Sequence, residues 1–266
     1  MTQADRAFTG SIPELYERGL GPVLFEPFGR EMAARFAGAS GAILETAAGT
    51  GRLTRALAEA APAARITATD LNAPMLERAA EAVAAPGIVW RPADALALPF
   101  PVGAFDVVIC QFGVMFFPDK VKGFGEALRV LRRGGRLMFS VWGPLEANTI
   151  TRVLQDALGG AAGDAGFMAR TPFGYHDPEV LRADLGAAGF TRVNFETVTL
   201  STPAASARDA ALGLCLGTPL RAELEARGPG GADAAVETAT EALTEAFGPG
   251  PFSGTGQALV VTAAAQ

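Results

Sequence analysis

Lysine is almost missing from this sequence. Only Lys120 and Lys122 occur, and the formal net charge is −6 at pH 7. A chain that grips a phosphate backbone needs a basic surface, so nucleic acid is not an expected partner. Histidine is scarcer still, with His176 the single copy. That excludes multi-histidine iron sites and most zinc sites, and no metal is expected. Two cysteines, Cys110 and Cys215, stand far apart in apolar settings. They make no disulfide framework, which suits a reducing compartment, and a cytoplasmic location is expected. There is no uninterrupted apolar run of ~18 residues, so no membrane span is expected. The opening stretch MTQADRAFTGSIPELYERG lacks an apolar core of signal-peptide length. Nothing in the sequence speaks to oligomeric state.

What is present is alternation. AILET, RITATD, IVWRP, FDVVICQF and RLMFSVW are apolar runs of strand length. Between them lie RLTRALAEAAP, APMLERAAEAVAAPG and PDKVKGFGEALRVLRRGG, which read as helices, the last one stopped by Gly134-Gly135. Apolar strands alternating with helices imply an α/β fold, a doubly wound and mostly parallel sheet covered on both faces. Ligands of such sheets sit at the carboxyl ends of the strands. Before the alternation, SIPELYERGLGPVLFEPFGREMAARFAG reads as one or two short helices broken at Gly21-Pro22. After it, DPEVLRADLGAAGF is a helix with Asp177 as N-cap and Pro178 at its first position. TRVNFETVTL and QALVVTAA are further strands. The chain of 266 residues reads as one domain.

The junction ILETAAGTGRLTRAL carries the chemistry. A strand ends in Glu45, a turn holds Gly49 and Gly51, and a helix follows at once. Glycines let backbone approach a ligand, and a helix N-terminus offers free N–H groups. The dinucleotide fingerprint is incomplete, because Thr54 occupies its third glycine position. A plain strand–helix turn remains open as an alternative. Asp70 ends the next strand, where a carboxylate can accept from a ribose diol, and Asp94 follows the third strand. Each also has a simpler reading as a helix or loop cap.

As a set these segments resemble the class I S-adenosylmethionine-dependent methyltransferases. ILETAAGTG resembles the first motif of that family, with Ala47 in place of its first glycine. ATDLNAPML resembles the second motif, and ADALALPFPVGAFDVVICQFGVMFFPD and EALRVLRRGGRLMFSVW resemble the segments leading through the fourth and fifth strands. The nearest style is that of the ubiquinone/menaquinone-biosynthesis-like small-molecule methyltransferases. LYERGLGPVLFEPFG resembles their N-terminal cap.

The resemblance implies a Rossmann-like sheet of seven strands. It implies a helical cap over 1–39, a cofactor-binding core over 40–143, and helical inserts over 144–176 and 204–250 that form a lid and acceptor pocket. The remainder, 177–203 and 251–266, completes the core sheet. It implies S-adenosylmethionine as cofactor, S-adenosylhomocysteine as product, and transfer to an O-, C- or N-atom of a small, fairly apolar acceptor. Cofactor contacts fall on Tyr16, Glu45, Thr46, Ala47, Gly49, Gly51, Asp70, Leu71, Met75, Asp94, Ala95, Gln111 and Phe112. An acid at Glu45 would repel a pyrophosphate but attract the ammonium of the cofactor's methionine portion. Tyr175 and Phe116 are candidates for the acceptor pocket. His176, the side-chain type that exchanges protons near neutral pH, is the candidate base. No N/D-P-P-Y tetrad follows the fourth strand, which argues against planar amide or base nitrogens as acceptors. An NAD(P)-dependent oxidoreductase and a binding protein without catalysis are the competing readings.

Overall fold

The structure is a computed structural model. It describes residues 12–83, 85, 87–159 and 166–265. Segments 1–11 and 160–165, parts of the expected cap and first insert, lie outside the described residues, as do Ala84, Pro86 and Gln266.

Seven strands form one sheet: β1 (Ser40–Thr46), β2 (Ala63–Asp70), β3 (Ile88–Pro92), β4 (Phe105–Gln111), β5 (Leu131–Trp142), β6 (Arg192–Ala204) and β7 (Phe252–Ala264). Their order is β3-β2-β1-β4-β5-β7-β6. The ladders β1–β2, β1–β4, β2–β3 and β4–β5 are all parallel. β1 and β4 are central, and Ile43, Leu44, Val108 and Ile109 are buried on both faces. That explains their unbroken apolar character. The crossovers are helical: α3 (Arg52–Ala60), α4 (Ala73–Ala82) and α5 (Lys120–Val130). In α3, Leu53 and Leu57 are four residues apart and share the buried face, while arginines take the other. The chain steps outward from β1 to β3 and then returns to β4. The reversal therefore lies between β1 and β4, where open α/β sheets leave a crevice for ligands.

Two local expectations fail. Gly21-Pro22 does not break the N-terminal helix. Helical structure runs through α1 (Ile12–Leu15), a π-helical stretch (Tyr16–Phe25) and α2 (Glu26–Ala34). The wider π turn, in which the Glu26 N–H donates to Gly21 O, accommodates a proline that would disrupt α geometry. Similarly, α5 does not extend to Gly134-Gly135. It stops at Val130, because Leu131 is already extended at φ −72° and ψ 137° and pairs with Phe105. Gly134, at φ 73°, lies inside β5 and donates to Ala265 O.

The chain divides into two compact units. The first comprises 29–141, 175–198 and the segment from 258, and so holds β1–β4, nearly all of β5 and the helices between them. It also holds α8 (Pro178–Ala187), whose N-cap Asp177 accepts from Glu179 N as expected. The second comprises the described part of 1–28 with 142–174 and 199–257. It is largely helical: α6 (Thr149–Ala157), α7 (Phe167–Arg170), α9 (Ala207–Leu216), α10 (Leu220–Glu225) and α11 (Gly231–Phe247). There α9 packs on both α11 and the π-helical stretch. Among the described residues, no helix is long and apolar enough to cross a membrane.

Candidate functional site

The turn after β1 is built around an acid. Glu45 is buried to 1 % exposure, and its carboxylate accepts a 2.6 Å hydrogen bond from the Thr54 hydroxyl. The Thr69 hydroxyl holds the backbone carbonyl of the same residue at 2.9 Å. Burial, and secondarily the charge of Asp70, push the Glu45 carboxyl up to about 8, against the opposing pull of the Thr54 bond. Ala47 adopts φ 53°, a left-handed backbone that favours glycine. Gly49 is also left-handed at φ 56°, and a Cβ on it would meet nothing within 4 Å. Its outer face is open to a ligand. Gly51 differs: at φ 80°, its Cβ position lies 3.0 Å from both Ala79 and Trp90. It is a packing glycine at the start of α3.

Asp70 ties the neighbouring turns together. Its Oδ2 accepts from Gly49 N at 2.9 Å, and its Oδ1 accepts from Asn72 N at 2.8 Å. Its backbone carbonyl receives Ala93 N at 3.0 Å, which brings the loop after β3 to the same edge. Burial raises the Asp70 carboxyl above the ordinary range, although these donors oppose the rise. In that loop Asp94 is exposed, its Oδ1 accepts from Leu96 N, and Ala95 is half-buried beside it. The loop is clamped to α5, because Arg129 donates to Leu98 O and Phe100 O while Glu126 accepts from Leu98 N. Leu71 stands 52 % exposed next to Asp70, an apolar surface suited to a flat ring. Met75, by contrast, is buried to 3 % within the packing of α4. Thr46 is likewise buried and bonded to the Cys110 thiol.

The turn after β4 faces the turn after β1. Phe112 is buried and left-handed at φ 50°, with its N–H directed to Ser140 O at 3.1 Å and Ser140 Oγ at 3.3 Å. A Cβ on Gly113 would lie 2.5 Å from Ala47 Cβ and 2.6 Å from Cys110 Sγ. The backbone of Gly113 thus lies against the Ala47 methyl and the Cys110 thiol. Gln111 is half-buried at the end of β4, and its Oε1 lies 3.2 Å from the Cβ position of Gly29. Phe116 is half-buried on a short 3-10 turn that leads toward α5.

Tyr175 is anchored to this region through Lys120. The lysine ammonium sits 5.0 Å above the tyrosine ring and donates to Met115 O and Phe117 O. The Tyr175 hydroxyl is committed to Asp184 of α8 at 2.7 Å, and burial first, then that carboxylate, raise it well above the usual phenol range. His176 follows, half-exposed, immediately before the α8 cap. Tyr16 belongs to the other unit, where it stacks on Phe25 at 4.7 Å and Phe25 leads on to Trp142 and Phe173.

Sequence reasoning missed Thr54, Ser140 and Lys120. Thr54 registers in the sequence only as an absent glycine, although a hydroxyl one turn into the helix after a buried acid is a readable signal. Ser140 and Lys120 carry no local mark at all. Among the described residues, no group of acids, histidines and cysteines is arranged to hold a metal.

A family model described as a methyltransferase domain matches residues 44–139. The chain is 38% identical over 175 residues to a demethylmenaquinone methyltransferase of Thermus thermophilus, covering 61% of this chain and 79% of that protein. It is 34% identical over 168 residues to the ubiquinone/menaquinone biosynthesis C-methyltransferase UbiE of Burkholderia mallei, covering 58% and 69%. The solved phosphoethanolamine N-methyltransferase 2 of Haemonchus contortus with S-adenosyl-L-methionine superposes with a TM-score of 0.59 at 16% identity, over 96% of this chain and 57% of that one. At that identity the likeness is one of fold.

Proposed function

Because the chain belongs to the class I S-adenosylmethionine-dependent methyltransferases, in the ubiquinone/menaquinone-biosynthesis-like group, we propose that its acceptor is a flat, fairly apolar ring of the quinol kind. The enzyme transfers a methyl group from S-adenosylmethionine to a small molecule. One arrangement carries the cofactor reading: three acids, Glu45, Asp70 and Asp94, stand at the ends of three successive strands. Such an edge disfavours a pyrophosphate and suits a cationic ligand, with Glu45 charged once its proton has left. The residues present fit the cofactor. Glu45 would face its ammonium, Asp70 its ribose, and Leu71 and Asp94 its adenine, while open space at Gly49 admits it.

When bound, S-adenosylmethionine supplies a methyl group already activated by a positive sulfur. The chain's part is alignment, which is worth effective molarities of about 10⁵–10⁸ M. A ring hydroxyl must also give up its proton for a ring carbon to attack. His176 is the residue proposed for that proton, because it follows Tyr175, which Lys120 binds to the β4 turn.

The test is methyl transfer from labelled S-adenosylmethionine to a demethylmenaquinol-type ring, compared with matched O- and N-acceptors. Calorimetry with S-adenosylmethionine and NAD is run in parallel. Ring methylation and binding of S-adenosylmethionine alone are expected. Transfer only to amines would overturn the acceptor class. His176→Ala should lower acceptor-saturated turnover by about 10²–10⁴-fold, with cofactor affinity unchanged. A rate within about threefold of wild type would remove His176 from the reaction.

A further inference from the structure

Glu45 is a buried carboxyl at the strand edge beside the open face of Gly49, and its environment contains little that would favour a charge. β2 contributes Asp70, an acid of the same sign. β4 contributes Cys110, whose thiol burial pushes up to about 12 and so keeps neutral. α3 contributes the Thr54 hydroxyl, at 2.6 Å. No lysine or arginine acts on the carboxyl among the described residues. A buried acid without a cation holds its proton until one arrives. Among the described residues, the Thr54 hydroxyl is the group that stabilises the ionised form.

We infer that Thr54 is a positioning residue: its hydroxyl fixes the buried Glu45 carboxyl in the place where that carboxyl exchanges its proton for the cofactor's ammonium. Binding is then an exchange. The proton leaves Glu45 for solvent, and the ammonium, arriving already charged, neutralises the carboxylate. No other bond forms or breaks. The inference rests on the cofactor reading given above, but the Thr54–Glu45 pair can also be tested without cofactor.

The sign of the pH effect in the free protein follows from the direction of the shift. An unfolded chain ionises Glu45 near the ordinary carboxylate value of about 4.3. The folded protein retains the proton up to about 8. Between those values the native state binds more protons, so its stability falls as pH rises, and the fall ends once the folded group ionises.

The experiment measures the thermal midpoint from pH 4 to 10 for wild type, Thr54→Val, Thr54→Ser and Glu45→Gln. It adds calorimetry with S-adenosylhomocysteine in two buffers of different ionisation enthalpy. This probe carries the ammonium without the sulfonium. Wild type should release about one proton on binding near pH 7, where the probe's amino group is still an ammonium, and fewer as pH rises through about 8. Thr54→Val should move the end of the stability fall, and of proton release, upward by about one to two pH units. Thr54→Ser should restore the wild-type profile, and Glu45→Gln should abolish the proton release and leave only the part of the stability fall that the raised Asp70 carboxyl contributes. Should Thr54→Val not fold, Thr54→Ala takes its place. Unshifted profiles in a folded Thr54 variant, or equal proton release by Glu45→Gln and wild type, overturn the inference. Tight binding without proton release overturns the coupling and leaves the cofactor reading intact. If S-adenosylhomocysteine does not bind at all, the cofactor reading falls and the coupling falls with it.

Discussion

The turns after β1 and β4 make similar bends by different means. Each passes one non-glycine residue through left-handed backbone, Ala47 at φ 53° and Phe112 at φ 50°. That conformation costs a non-glycine residue about 1–2 kcal/mol. The β1 turn is held by polar groups: Thr54 and Thr69 on Glu45, and Gly49 N on Asp70. The β4 turn is held mainly by volume, with Phe112 buried and Gly113 pressed against Ala47 and Cys110. Polar anchoring responds to charge and hence to a charged ligand. Packed anchoring responds only to size. The β1 turn is therefore the adjustable half of the edge and the β4 turn its fixed abutment.

The strongest test of this contrast is Phe112→Ala. Removing a buried phenylalanine costs about 3–5 kcal/mol, and here the left-handed bend remains to be supported by the Ser140 bonds alone. Urea unfolding should show that loss with an unchanged denaturant slope. A loss below about 1 kcal/mol would mean that the hydrogen bonds, not packing, hold the β4 turn.

Asp70→Ala attacks the other side. It should weaken S-adenosylmethionine binding by roughly 10–150-fold, because hydrogen bonds to a charged group are worth about 1.5–3 kcal/mol at about 1.4 kcal/mol per decade. Asp70 also holds Gly49 N and Asn72 N, so Asp70→Asn, which keeps an acceptor, separates support of the turn from contact with the ribose. Unchanged affinity in folded Asp70→Ala, measured by calorimetry, would return this acid to a purely structural role.

Gly113→Ala tests whether the two turns are one unit. Its new methyl would sit 2.5 Å from Ala47 Cβ, so one turn must yield. Overpacking of this kind costs about 1–3 kcal/mol. In a double-mutant cycle, Ala47→Gly should recover part of that cost, with a coupling of about 0.5 kcal/mol or more. Strict additivity would show that the turns touch without depending on each other. The contact with Cys110 Sγ at 2.6 Å persists in either background, so recovery should be incomplete.

The same contrast explains what could be read in advance. The β1 turn was legible because acids and glycines have few uses at a strand end. Glu45, Gly49, Asp70 and Asp94 all lie at the edge where alternation of strands and helices placed them. The β4 turn was not legible, because QFGVMFFPD reads as apolar in any of several conformations. The left-handed Phe112 depends on Ser140, 28 residues away, and no local pattern announces that partner. Met75 is expected among the cofactor contacts, but apolar residues at helical spacing serve core and ligand alike, and Met75 is buried. Tyr175 is expected in the acceptor pocket, but no local pattern announces that its hydroxyl donates to Asp184, nine residues further on in α8. The helix boundaries at Gly21-Pro22 and Gly134-Gly135 failed for a related reason. A breaker marks a local preference, and sheet pairing at Leu131 or a widened π turn can override it.

The smallest expected effect is the most discriminating for the shared bend itself. Ala47→Gly restores glycine at the family's first glycine position. It should relieve about 1–2 kcal/mol of left-handed backbone cost. Glycine also gives the unfolded chain more freedom, which costs about 0.4–1 kcal/mol, and the lost methyl no longer packs toward Gly113. These contributions nearly cancel, so stability should stay within about 1 kcal/mol of wild type. Denaturant unfolding resolves that interval at fixed slope. Cofactor affinity should also hold, because Ala47 places backbone while the charges belong to Glu45 and Asp70. A marked destabilisation would mean that the Ala47 methyl is itself a packing element, and that the β1 turn is held by volume as the β4 turn is. A clear gain in stability with weaker cofactor binding would mean that the left-handed alanine keeps the turn stiff for the ligand.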